Sequence, residues 1–420
     1  MKKLFNFRPL VFCALSLALG LLSAALFAKF RAVPLIAATC GVLVSFAAAW
    51  LIYKRFDFLV CGGAFAIVVI LGFFLIFGEV SFSVTNVSER YEEAAFTAVV
   101  KSVDNTDGGD FRVILTDVES DDIDFKGTNI AVRTYNSDLK RGDKVRSSAY
   151  FIKKPLSVEN TYYLVNRVVY ESATGVIGLE KTEGTKNFFE LVASDIESAV
   201  HGFVDEEHAG VLVALLTGRT SGMDGEVLNR FRMAGAAHIF AVSGLHIGLF
   251  FSFFGLIFSL FKMRRWQNVI LTTLVTLFYA LVCSSVSAYR ALIMCFVHGM
   301  ARSFGKKYDF VNSIFLSMIV VLCVFPTSLF GTGFLLSFSA VISLALFYRQ
   351  FKSAFQKLPS PLCDAISASL AVVLGVTPVL ALTFGYASAI TVIVNVLLLP
   401  VLPLIYVSAM LGAVIAAVTD

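Results

Sequence analysis

Residues 235–261 read GAAHIFAVSGLHIGLFFSFFGLIFSLF, and this stretch decides what kind of protein the chain forms. It contains no Asp, Glu, Lys or Arg, and it is long enough for a membrane-spanning helix, which needs about 20 apolar residues. Polar side chains within it, above all His238, Ser243 and His246, are costly at membrane depth and usually face a cavity or another helix. The stretch therefore predicts a membrane helix with a functional element at its start.

The composition of the whole chain also indicates a membrane protein. Of its 420 residues, 57% are hydrophobic and only 15% are charged, whereas soluble domains carry roughly 25% charged residues. The net charge of +4 hides an asymmetry, because residues 79–200 contain 21 acidic and 14 basic residues while the rest contains 20 basic and 9 acidic. An ordinary soluble protein is excluded, and the net charge is too small to suggest a general nucleic-acid binder.

Apolar runs predict about ten helical spans, so the fold class is a polytopic α-helical membrane protein. Proline residues in the last run, Pro400 and Pro403, predict that it forms two pieces. Most basic clusters fall on one side of the membrane under this count, and the positive-inside rule makes that side cytoplasmic. The ten runs are 9–28, 33–53, 59–78, 235–261, 267–285, 288–304, 310–328, 331–348, 361–384 and 388–418.

The polar segment 79–185 has the pattern of a small β-domain inserted between the spans. Short runs rich in β-branched and aromatic residues alternate with turn signals such as Asp107-Gly108-Gly109, which favours a five-stranded, OB-like β-barrel. The predicted strands are Phe96–Val103, Phe111–Val118, Asn129–Tyr135, Val145–Ile152 and Tyr162–Tyr170. Three predicted spans precede this barrel, and this odd number places it outside the cytoplasm. Its excess of acidic over basic residues agrees with that side.

Four domains follow from these patterns. They are an N-terminal three-helix membrane region (1–78), the β-barrel domain (79–185), an amphipathic helix with a connector (186–234) and a C-terminal transmembrane domain (235–420). Within the connector, helical periodicity predicts a helix over 186–203 with one apolar face.

The second polar anomaly in a membrane span is Arg290, because a charge at membrane depth needs a partner or water. We expect His238, Ser243, His246 and Arg290 to line one cavity that opens to the outside. The structural alternatives are a packed hydrogen-bonded pair for Ser243 and His246, and a salt bridge or snorkelling near the outer surface for Arg290.

Two further groups of residues are candidates for supporting roles. Arg219, Arg230 and Arg232 form either an outer funnel for phosphates or an ordinary solvated edge. Gly244, Gly248 and Ser252 are spaced four apart, which is typical of close helix packing. The sequence contains no cluster with the spacing of a metal site, and we expect neither a metal nor another cofactor.

Four blocks of sequence resemble the ComEC family of bacterial competence proteins, which are inner-membrane channels for DNA uptake. Residues 238–248 resemble the family's His…Ala-Val-Ser-Gly-Leu-His-hydrophobic-Gly stretch, and 290–294 resemble its Arg-Ala-hydrophobic-Met element. Residues 334–341 (FLLSFSAV) and 395–400 (NVLLLP) match two further blocks in the same order. An ordered set of blocks is far more specific than any one of them alone.

The resemblance implies a channel component in the bacterial plasma (inner) membrane that passes single-stranded DNA during natural transformation. Many family members carry a metallo-β-lactamase-like nuclease domain with a His-x-His-x-Asp-His pattern, which this sequence lacks. We therefore expect a protein without catalytic residues, surrounded by membrane lipid, that works with a separate cytoplasmic motor and a separate nuclease. Assembly into a homo-oligomer is left open.

Two other functions remain open at this point. One is an intramembrane serine hydrolase, with Ser243 as the nucleophile and His246 or His298 as the base. The other is a remnant that has only a structural or interaction role, since the nuclease pattern is missing.

Overall fold

The computed structural model describes two compact units, one formed within residues 1–190 and 322–331 and the other within 191–321 and 332–420. The described residues are 9–30, 66–75, 92–105, 110–121, 125, 128–136, 139, 141–153, 161–182, 188–220, 222–240, 242–261, 263–283, 285–384, 390–398 and 400–419.

In the first unit two apolar helices pack closely through glycine. Helix α1 (Pro9–Phe30) coincides with the predicted span 9–28, and α2 (Ala66–Leu75) lies within the predicted span 59–78. A Cβ on Gly72 would lie 2.6 Å from the carbonyl oxygen of Leu17, so only glycine permits this approach of the two backbones. The predicted span 33–53 lies outside the described residues.

The first unit also contains the β-barrel. Strand β1 pairs with both β2 and β4, β3 pairs with β2 and in parallel with β5, and β5 pairs with β4. These pairings close a ring of five strands, so the predicted five-stranded barrel is confirmed, and a short sixth strand adds to β4. The strands are β1 (Glu92–Asn105), β2 (Phe111–Glu119), β3 (Asn129–Thr134), β4 (Lys144–Lys153), β5 (Val168–Val176) and β6 (Glu180–Thr182).

Aromatic rings fill the centre of the barrel. Phe151 contacts Phe96 and Phe125 edge to face, with ring centroids 5.5 and 5.1 Å apart. Tyr170 meets Phe125 in the same way at 5.0 Å. Small alanine and valine side chains from neighbouring strands surround these rings, and burial of this apolar area is the main stabilising contribution to the barrel.

The predicted fifth strand is wrong in its first half. Residues Thr161–Asn166 form a short helix, α3, although Tyr162 and Tyr163 favour strands. Tertiary contacts override that preference, because Asn129 Nδ2 donates to the Asn166 carbonyl at the helix end at 2.5 Å. Arg167 then adopts a left-handed conformation that turns the chain into β5.

The second unit is helical. The amphipathic helix predicted at 186–203 is observed as α4, and the remaining helices alternate with short connections. The helices are α4 (Phe188–Phe203), α5 (Glu206–Thr217), α6 (Gly225–Met233), α7 (Gly244–Ser259), α8 (Arg265–Cys283), α9 (Val286–Ser303), α10 (Phe310–Val324), α11 (Thr332–Ala354), α12 (Ser360–Phe384), α13 (Thr391–Leu398) and α14 (Leu402–Thr419).

Three of the described helices are long and apolar enough to cross a bilayer, namely Arg265–Cys283, Thr332–Ala354 and Ser360–Thr383. The pair α13 and α14, bent by 53°, makes a fourth if it forms one broken span. The two-piece prediction for 388–418 agrees with this break. The total of about ten spans is not confirmed, since helices such as α10 contain fewer than the roughly 20 residues that a straight span needs.

Within the predicted span 235–261, the regular helix covers only the later part. Residues Ala237–Ile239 form a single 3-10 turn, and the regular helix α7 begins only at Gly244. The helix cannot extend backwards through Ser243, because this residue has extended backbone angles and its side chain caps the helix.

Candidate functional site

The start of α7 is held by a reciprocal pair of hydrogen bonds between Ser243 and His246. The Ser243 backbone N–H donates to His246 Nδ1 at 3.1 Å, and the Leu245 N–H donates to Ser243 Oγ at 3.3 Å. Ser243 Oγ itself lies 2.9 Å from His246 Nδ1. The arrangement is a capping box in which histidine takes the place of the usual glutamate or glutamine.

These bonds assign the tautomer of His246. Since Nδ1 accepts the backbone N–H of Ser243, it carries no proton, so the neutral imidazole has its proton on Nε2. The residue is only 1% exposed, and its Nε2 has no hydrogen-bond partner within the described part of the chain. The ring stands edge-on to Tyr406, with centroids 5.2 Å apart. A buried N–H donor thus remains available beside the cap.

Arg290 lies next to this cap. Its Nη2 would be 3.4 Å from a Cβ placed on Gly244, and the methyl group of Ala291 would be 3.7 Å from it. At the start of α9, Ser285 Oγ donates to the Val242 carbonyl at 3.4 Å. The first turns of α7 and α9 therefore touch, which brings Arg290 to the positive end of the α7 dipole.

The guanidinium group of Arg290 is buried in apolar surroundings. The residue is 6% exposed, and among the residues that the structure describes its Nε has no hydrogen-bond partner. Its Cζ lies 5.8 Å from the ring centroid of Phe338. A buried cation beside a helix N-terminus has an unfavourable energy unless an anion or water joins it.

Sequence reasoning missed several residues around Arg290. Ser287 and Ser337 share a hydrogen bond between their hydroxyl oxygens at 2.8 Å, and Phe338 supplies the ring that faces the guanidinium. Ser337 and Phe338 belong to the block 334–341 that resembles the competence family, so that block was the available signal.

A second polar cluster supports α7 from behind. Tyr406 donates to the hydroxyl of Tyr279 at 2.9 Å, and Tyr279 donates to the Leu216 carbonyl at 2.6 Å. The ring of Phe250 on α7 stacks on Tyr279 with centroids 4.2 Å apart. These hydrogen bonds and the ring contact hold α5, α7, α8 and α14 together. No local sequence pattern predicts them.

His238 lies on a different element from the other three candidate path residues. It belongs to the 3-10 turn before α7, its side chain is exposed, and its Nδ1–H donates to the Gly235 carbonyl at 3.0 Å. His298, the other base considered, is exposed on α9 and packs its ring edge-on against Tyr308 at 4.8 Å. The structure therefore brings together Ser243, His246 and Arg290, and it places the candidates His238 and His298 in exposed positions.

The three candidate funnel arginines have different surroundings. Arg230 Nη2 lies 2.6 Å from Glu226 Oε1 one turn earlier on α6, and both side chains are exposed. This carboxylate balances the charge of Arg230, as on an ordinary solvated helix surface. Arg219 follows the end of α5 and is partly exposed. Arg232 lies on α6, and its side chain is outside the described part.

Gly244, Gly248 and Ser252 do not share one environment. Gly244 lies close to a neighbouring helix, whereas a Cβ on Gly248 would meet no atom of the described residues within 4 Å. The Ser252 hydroxyl donates to the Gly248 carbonyl of its own helix at 2.7 Å. Close helix contact along this face is therefore confined to its first position.

The described residues contain no group of three His, Cys, Asp or Glu side chains that would suit a metal ion. The chemistry available at the site is therefore that of a guanidinium group, an imidazole N–H and a helix N-terminus. All three favour an anionic or hydrogen-bond-accepting ligand.

Comparison with known proteins identifies relatives over this same region. Residues 215–420 match the family model "Competence protein". ComE operon protein 3 of Bacillus subtilis (strain 168) is 30% identical over 233 residues, which cover 54% of this chain and 29% of that protein. An uncharacterized protein of Aquifex aeolicus (strain VF5) is 29% identical over 238 residues, which cover 56% of this chain and 53% of that one.

The uncharacterized protein YcaI of Escherichia coli (strain K12) is 27% identical over 219 residues, which cover 49% of this chain and 29% of YcaI. The matches thus span about a third to a half of the length of these relatives. No solved structure is significantly similar to the chain. The family model covers α7, α9 and the block around Ser337, which together form the site around Arg290, and through residues 215–420 the chain belongs to the ComEC-type competence protein family.

Proposed function

We propose that this protein is a channel component of the bacterial inner membrane that passes single-stranded DNA inward during natural transformation. The observation that carries the proposal is the position of Arg290, which is buried at the N-terminal end of α7 with no counter-ion among the residues that the structure describes. The membership of residues 215–420 in the competence family supports a role in DNA uptake.

The chemistry of the site suits a phosphate backbone. A phosphodiester that reaches Arg290 would accept hydrogen bonds from its guanidinium group and from His246 Nε2, and it would lie at the positive end of the α7 dipole. These donors would replace part of the water that the strand loses in the membrane. Because none of them reads a base, transport would be independent of sequence. His238 would stand nearer the entrance, with Arg219 and Arg232 as the remaining candidates for an outer funnel.

The barrel would guide the strand on the extracytoplasmic side. Its ring order β1-β2-β3-β5-β4 with β1 on β4 supports the OB-like assignment, and OB folds bind oligonucleotides through strand faces and loops. Arg141, Lys144 and Arg146 provide a local basic patch in an otherwise acidic segment. Salt-dependent binding of single strands that is lost when this patch is neutralised would support guidance, and its absence at low salt would leave a scaffolding role.

Transport of DNA inward needs an energy source outside this protein. Moving negative charge against an inside-negative potential costs about 2.3 kcal/mol per charge for 100 mV, and the sequence has no Gly-x-x-x-x-Gly-Lys-Ser/Thr loop for ATP. We therefore infer a separate cytoplasmic motor and a separate nuclease for the complementary strand. The purified protein should neither hydrolyse ATP nor cut DNA with Mn²⁺, Mg²⁺ or Zn²⁺.

One observation favours a second candidate, an intramembrane serine hydrolase. Ser243 Oγ and His246 Nδ1 are 2.9 Å apart, as a nucleophile and its base would be. The same atoms also serve as a helix cap, and this accounts for the contact without catalysis. Labelling of the wild type, but not of Ser243→Ala, by a fluorophosphonate serine-hydrolase probe would favour the hydrolase. A purely structural remnant would show neither labelling nor DNA uptake.

The deciding experiment is transformation of a deletion strain that carries restored variants. Arg290→Ala should abolish uptake at normal protein levels in the membrane, whereas Arg302→Ala should keep it. Arg302 is a matched control because it lies on the same helix, near its far end, with an exposed side chain. Unchanged uptake with Arg290→Ala would reject the assignment of the path.

A further inference from the structure

A polar cavity of about 480 Å³ opens in the wall of the β-barrel. It lies among β1, β2, the start of β3 and the turn that precedes β5. Its volume is that of a small-ligand site, for which several hundred Å³ is usual. It is lined by Lys101, Thr116, Asp117, Val118, Glu119, Thr128, Asn129 and Arg167.

The backbone is irregular on every strand that borders this cavity. The register between β1 and β2 shifts twice, between Thr97 and Val99 and again between Val100 and Ser102. The parallel pairing of β3 with β5 shifts directly after Asn129. Bulges of this kind re-aim side chains and are frequent next to functional sites.

Strained backbone angles occur at the same place. Among the described non-glycine residues, the two with positive φ are Asp117 at 50° and Arg167 at 53°, and both line the cavity. This left-handed region is uncommon for any residue other than glycine, although aspartate adopts it more readily than arginine does. Strain of this kind clusters at ligand sites, where the surrounding fold maintains it. The barrel thus holds two charged residues in costly conformations around one opening.

The charges around the cavity are divided into two groups. Lys101 is partly buried, and burial together with the nearby Arg167 and Arg141 lowers the pKa of its ammonium group below the ordinary value. The carboxylates of Asp117 and Glu119 line the same cavity and are exposed. Cations crowded in this way attract an anion, since its charge would offset their mutual repulsion.

We propose that this cavity is a binding site for a nucleoside monophosphate or for the terminal phosphorylated nucleotide of a strand. Lys101 and Arg167 contact the phosphate, Thr116 donates from its hydroxyl group, and Asp117 and Glu119 accept hydrogen bonds from amino groups of the base. The carboxylates disfavour a bare phosphate ion, and a nucleotide matches both groups of charges. The site is independent of the path around Arg290 and stands even if DNA crosses the membrane elsewhere.

The test is equilibrium dialysis of the full-length chain in detergent with radiolabelled deoxycytidine 5′-monophosphate. Lys101→Met and Arg167→Gly should each weaken binding about tenfold or more, as expected for the loss of a charged hydrogen bond. Glycine at 167 keeps the left-handed backbone accessible. The matched control is Lys306→Met, which removes the same charge from an exposed position in the helical unit and should change binding less than about twofold.

Competitors distinguish the nucleotide from its parts. Unlabelled nucleotide should displace the probe at much lower concentration than deoxycytidine or inorganic phosphate. Displacement by inorganic phosphate at the same concentration would overturn the nucleotide assignment, and displacement by deoxycytidine alone would overturn the role of the phosphate. Wild-type affinity in both cavity variants would reject the site.

Because Lys101→Met removes a poorly solvated charge, the unfolding temperature of this variant should not fall. Weaker binding by the variant cannot then be ascribed to misfolding.

Discussion

The barrel and the helical unit handle charge in opposite ways. Around the barrel cavity, charged residues stand in costly backbone conformations next to solvent, as Asp117 and Arg167 do. In the helical unit the backbone around Arg290 is regular, and the cost lies in burying the guanidinium group. Water can screen the charges of the barrel, whereas an apolar interior cannot. A ligand should therefore affect stability far more at Arg290 than at the barrel.

Replacement of Arg290 by methionine should have the largest effect. The substitution removes a buried charge while it keeps most of the side-chain volume, so the free energy of unfolding should rise by about 1–3 kcal/mol while DNA uptake falls to background. Thermal unfolding in detergent and transformation frequency measure the two quantities. A variant that loses stability instead would show that Arg290 has a partner in the folded protein, which would contradict the contrast with the barrel.

Loss of the Ser243 cap should have the next largest effect. Ser243→Ala removes an N-cap, which typically contributes about 1 kcal/mol, and withdraws one of the two donors from the buried His246 Nδ1. We expect the free energy of unfolding to fall by roughly 1–3 kcal/mol, with faster amide exchange in the first turn of α7. Ser252→Ala is the control, because its exposed hydroxyl group bonds only its own helix. Equal effects in both variants would contradict a special role for the cap.

In the barrel, alkaline pH should weaken the fold through Tyr163. Burial, together with a hydrogen bond to Glu171, raises the pKa of its phenol to about 12. A raised pKa means that the folded state retains the proton which the unfolded state releases above pH 10. Stability should therefore fall between about pH 10 and 12. Tyr163→Phe should flatten this part of the pH profile, as followed by circular dichroism of the strands. An unchanged slope would locate the alkaline transition elsewhere.

The titration of Lys101 should change the stability least, and the change with pH should be opposite in sign to that caused by Tyr163. Its pKa in the folded state is lowered, so the unfolded state binds the proton more tightly, and stability should increase as pH rises from the folded pKa towards the ordinary value of 10.5. At neutral pH, Lys101→Met should leave the unfolding temperature unchanged or slightly raised. A clear loss of stability would indicate that the ammonium group has a stabilising partner.

Much of the barrel could be predicted from the sequence. Strand patterns and turn residues report short-range preferences, so four of the five predicted strands coincide with observed strands. The error at Thr161–Asn166 arose where a strand-favouring composition yields to a distant contact, the hydrogen bond from Asn129. The β-bulges and the cavity could not be predicted, because register shifts depend on pairing with another strand.

For the helical unit, the sequence by itself determined the apolar segments, the three-residue spacing of Ser243 and His246 and the unusual charge of Arg290. These are local properties, because hydrophobic periodicity and capping depend on residues within one or two turns. Only the tertiary structure decided that Arg290 stands beside the first turn of α7. It also decided that Tyr279 and Tyr406 join helices far apart in the chain. Such neighbours are set by which helix faces pack together, and packing is a property of the whole fold that no short stretch of sequence contains.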